Sequence, residues 1–223
     1  MKRKCLLVLL GAASLSSTAS ETRPVESRDF YLAVSTGPQW RAKASDSAGA
    51  TTFKTGFAVN AAAGLRLRSQ RLEAEYSYFD NKCKTTDPAG PAIGVEPSSG
   101  DVEVKALFGN YYFDLPASER KFESYVGVGA GLYRVSINGL TTPSLRTLPA
   151  EWGGPVVVYA SSTWTPAYQF RCGVKFHLTP ASEILVGYRL LRGEDFDINL
   201  ADGSTIHPDA RIQSLEAGVR VRF

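Results

Sequence analysis

Residues 215–223 read LEAGVRVRF and alternate without a break. Leu215, Ala217, Val219, Val221 and Phe223 fall on one face, and Glu216, Gly218, Arg220 and Arg222 on the other. Successive side chains of a β-strand point to opposite faces, so period two identifies a strand with one apolar and one polar surface. A strand of a soluble sandwich alternates too, but a glutamate and two arginines would then face water beside a chain end.

The same pattern recurs upstream, in segments of about ten residues closed by turn residues. Phe30, Leu32 and Val34 begin a first strand. The second sets Phe57, Val59, Ala61, Ala63, Leu65 and Leu67 against Asn60, Gly64, Arg66 and Arg68. In the third, Leu72, Ala74, Tyr76 and Tyr78 oppose Glu73, Glu75 and Ser77. The fourth is read with Val102, Val104, Ala106 and Phe108 outward and Glu103, Lys105 and Gly109 inward. Glu123 precedes a fifth, where Val126, Val128, Ala130 and Leu132 alternate with glycines. The sixth places Arg171, Lys175 and His177 opposite Phe170, Cys172 and Phe176. The seventh places Glu183 and Arg189 opposite Ile184, Val186 and Tyr188.

Connector lengths orient these strands. Ser69-Gln70, DLPASER (114–120) and TPAS (179–182) are short, whereas the joins near 37–52, 80–100, 136–165 and 192–209 are long. Short and long joins alternate strictly, as in an outer-membrane barrel with tight periplasmic turns and long extracellular loops. The expected fold is all-β, a closed antiparallel up-and-down transmembrane β-barrel of eight strands. Aromatics at strand ends (Tyr111, Tyr112 and Phe113 at one rim, Tyr76, Tyr78 and Phe79 at the other) fit interfacial girdles. Ordinary β-propensity is the alternative source of those aromatics.

The N-terminus, MKRKCLLVLLGAASLSSTAS, has a basic start, a short apolar run and small residues around Ala19. That run is too short to span a bilayer as a helix and reads as a cleaved signal peptide over residues 1–19. Residues 20–29 then form a periplasmic segment and residues 30–223 the barrel. The leader holds three of the 25 basic residues and none of the 22 acidic ones, leaving 22 of each sign. The pI near 8.7 belongs to the whole chain and supports no nucleic-acid partner. No later apolar stretch is long enough for a membrane helix. Cys83 and Cys172 fall on strands at opposite sides of the barrel and are expected as free thiols.

YVGVGAGLYR (125–134), FGNYYFDL (108–115) and the terminal GVRVRF (218–223) together resemble the OmpA-like and opacity-protein-like families of small outer-membrane barrels. The resemblance implies residence in the bacterial outer membrane, contact with its lipids, and recognition of Phe223 by the barrel-assembly machinery. It implies no cofactor and no particular activity. No periplasmic peptidoglycan-binding domain is expected after Phe223.

The inward charges (Arg66, Glu73, Glu75, Glu103, Lys105, Glu123, Arg171, Lys175, Glu183, Arg189, Glu216, Arg220 and Arg222) must pair, because a buried charge without a partner is costly. An eight-stranded barrel is just wide enough for side chains to fill it. An interlocked ion-pair plug is the favoured reading, and a narrow conductive path the alternative. His177, with Thr179, Ser182 and Glu183, could support acyl transfer in principle. However, this cluster falls at the periplasmic rim and lacks the motifs of lipid-modifying barrels. His207 has no second metal ligand at a diagnostic spacing. No catalytic or metal site is expected. The third extracellular loop is unusually apolar, and Trp152, Tyr159 and Trp164 are candidates for contact with a ligand or host surface. Its PVVVY run (155–159) could instead extend the barrel wall. The expected role is non-enzymatic, structural or surface-interacting, with a narrow porin-like channel as runner-up and a lipid-modifying enzyme third.

Overall fold

The computed structural model describes residues 29–46, 49–88, 94–115, 122–147, 154–155, 157–194, 198–199, 205–206 and 211–223. The leader, most of the 20–29 segment, Trp152 and His207 lie outside them. Eight long strands form the wall: β1 (Asp29–Arg41), β2 (Gly56–Leu67), β3 (Gln70–Pro88), β4 (Ser99–Leu115), β5 (Phe122–Thr141), β6 (Thr165–His177), β7 (Ser182–Gly193) and β8 (Arg211–Arg222). Each pairs antiparallel with the next in sequence. β1 also pairs with β8, as in Leu32 opposite Val221, and this closes the barrel. Closure leaves no unpaired edge in the lipid, where an unsatisfied backbone group is prohibitively costly. Among the described residues no helix is long and apolar enough to cross a membrane.

The outer surface carries the apolar band. Phe30, Leu32 and Val34 on β1, Val126 and Val128 on β5, and Leu215, Val219 and Val221 on β8 are all exposed large hydrophobics. In water such a surface would aggregate; in a bilayer it is the expected coat. Cys172 lies among these outward positions of β6 while Cys83 is buried on the inward face of β3, and both are free.

Strand four departs from the sequence expectation. Val102, Val104, Ala106 and Phe108 point inward and are buried, and Lys105 is exposed on the outside with Glu103 beside it on the same face. The physical reason is the height of the wall. β3, β4 and β5 rise above the apolar band, where the outer surface meets water and the inner surface is the dry one, so polarity exchanges faces along a single strand. Phe79 and Tyr112, placed in the girdles by sequence, are likewise buried inside. Arg68 does not enter the lumen: it sits in the two-residue turn between β2 and β3 with φ +57°.

In the third connector, Val158 and Tyr159 of the PVVVY run lie in a strand, the wall-extension alternative read from the sequence. Val158–Ser161 pairs with β5, through Ile137 opposite Ala160, and extends the wall upward. On the far side the Gly49–Phe53 segment pairs with β3 and with Ala44–Asp46. The wall is therefore tallest over β3, β4 and β5.

Candidate functional site

Three layers of side chains fill the lumen. At the periplasmic mouth Lys175, fully buried, holds Asp114 at 2.8 Å and Glu123 at 2.7 Å. Arg71 donates through Nε to Asp114 at 3.0 Å and lies over the Tyr112 ring, 4.4 Å from its centroid. Glu183 gathers Arg220 at 2.9 Å and Arg222 at 3.2 Å, with Arg66 at 3.8 Å. His177 bridges the rim, its Nδ1 3.2 Å from Glu183 and its Nε2 3.3 Å from Glu123.

The middle layer is built on two arginines. Arg171 bridges Glu75 and Glu216 through separate guanidinium nitrogens. Arg189 joins the same two carboxylates, at 2.7 Å to Glu75 and 3.0 Å to Glu216. It also donates to Asn60 and Ser77. Glu73 accepts the hydroxyls of Tyr31 at 2.9 Å and Tyr112 at 3.1 Å. A cavity of about 20 Å³ lies between Glu73, Arg171, Arg220 and Tyr125, space for about one water.

Above lies an apolar collar. Phe79, Val104, Phe108, Tyr133, Leu191 and Ile212 are among the buried residues packed together here. The Arg189 guanidinium lies 5.5 Å from the centroid of Phe79 and joins the two layers. A charged layer therefore lies below a largely apolar one, in which buried Gln39 donates to Asn81 at 2.7 Å.

Glu103 and Lys105, expected inside, take no part. Arg71 and Asp114, not expected, are central. The signal for both was present: Arg71 continues the Glu75, Glu73 alternation by two residues, and Asp114 continues Asn110 and Tyr112. Each lies at a strand end beside a short turn, where turn residues obscure the alternation.

The hydroxyls near His177 are committed to the turn. Thr179 and Ser182 Oγ atoms are 2.7 Å apart, and Thr179 Oγ1 accepts the amides of Ala181 and Ser182. No described hydroxyl is brought to the imidazole as a nucleophile. At the other rim, Tyr159 is 69% exposed, and Trp164, just before β6, is 44% exposed. Phe223 is exposed at the periplasmic edge, where its amide donates to the Phe30 carbonyl at 2.9 Å.

A closed eight-stranded barrel with an apolar coat and a polar interior defines an integral bacterial outer-membrane protein. The chain belongs to the outer membrane protein beta-barrel domain family, which it matches over residues 5–223. No curated protein matches it by sequence. Among solved structures it is similar to Neisserial surface protein A, with 22% identity, 87% of this chain and 97% of that one covered, and a TM-score of 0.58. It is also similar to OprG from Pseudomonas aeruginosa, with 9% identity, coverage of 87% and 95%, and a TM-score of 0.56. A major outer membrane protein of Thermus thermophilus has 10% identity, coverage of 88% and 99%, and a TM-score of 0.50. At these identities the likeness extends to the fold.

Proposed function

We propose that this protein is a non-enzymatic surface barrel whose lumen is closed and whose raised extracellular rim makes the contacts. What supports this reading is the filling of the interior by two layers, the ion-pair network and the buried cluster above it. Ions meet hydrocarbon in the collar and committed charges beneath it, so passage would require dismantling both layers. Loops and wall extensions held by a rigid scaffold are the usual place for binding. Here Tyr159 is presented on the outer edge of the tallest part of the wall. Export by a cleaved leader and recognition of Phe223 during assembly complete the proposal.

Planar-bilayer recording on the reconstituted protein tests the closure. Silence is expected, and steady unitary openings would replace this reading with a channel. Lipid A and phospholipid profiles of cells with and without the protein should coincide; a changed acyl pattern would point to an enzyme.

A further inference from the structure

We draw no further inference here: the strongest candidate, the apolar groove that crosses the outer wall over β2 to β5 on a floor of Ala63, Ala74, Gly109 and Ala130, is an unpartnered membrane-facing surface, and nothing in the structure shows what covers it.

Discussion

Arg189 and Glu75 meet across the lumen with Nη2 2.7 Å from a carboxylate oxygen, although 114 residues separate them in the chain. Both are buried, and the contact ties β7 to β3 through the interior rather than through the wall. Arg189→Met should therefore leave Glu75 and Glu216 with Arg171 as their remaining guanidinium. Removing one partner of such a buried set costs about 3–5 kcal/mol. Urea unfolding of the reconstituted protein measures it, and Glu75→Gln in the same chain should recover part of the loss. A change under about 1 kcal/mol would show that the middle layer does not hold the barrel together.

A second comparison separates the two faces of the wall. Lys175 is fully buried between Asp114 and Glu123, whereas Lys105 is exposed outside. Lys175→Ala should destabilise by about 3–5 kcal/mol, and Lys105→Ala should stay within about 0.5 kcal/mol. Similar losses for the two would return Lys105 to the interior.

These residues also show how far the sequence could be read. Strands two, three and five to eight were legible because lipid outside and charge inside give each face one polarity over the whole membrane span. β4 was not, because its upper half faces water outside and the collar inside. Val102 and Val104 then look like lipid-facing residues although they are the buried ones, and a fixed rule of apolar outside inverts the strand. The collar was invisible for the same reason: its members come from different strands, and none announces that a barrel interior has turned apolar. The pairing pattern of the plug was equally beyond reach. Alternation places Arg171 inside, but only closure of the barrel decides that it meets Glu75 and Glu216.

Two glycines on adjacent strands give a third test. A Cβ on inward Gly127 would lie 2.2 Å from Cδ1 of Tyr112, its direct cross-strand neighbour, whereas a Cβ on outward Gly109 meets only the Ala130 carbonyl oxygen, at 3.9 Å. Tyr112 cannot yield easily, since its hydroxyl is bound to Glu73 and its ring lies under Arg71. Gly127→Ala should cost about 1–3 kcal/mol by overpacking, while Gly109→Ala should be near neutral. Thermal unfolding of the two variants compares them, and equal behaviour would mean that the Tyr112 ring does not rest on Gly127.

The fourth prediction concerns the rim. Glu96 accepts the Ser144 hydroxyl through one carboxylate oxygen and the Ser144 amide at 3.2 Å through the other, which fastens the second extracellular loop to the third. The hydrogen bond from the Ser144 side chain is the main cause that holds the Glu96 carboxyl below its ordinary value of 4.5. A depressed carboxylate stabilises the fold above its unfolded value and loses that contribution as pH falls through the folded one. The clasp should therefore be intact at neutral pH and loosen only in acid, below the usual glutamate range. Carbon-detected NMR of labelled glutamate should show Glu96 titrating below 4.5 and Ser144→Ala restoring it toward that value. A midpoint at or above 4.5 in the unaltered protein would mean the two loops are not joined here.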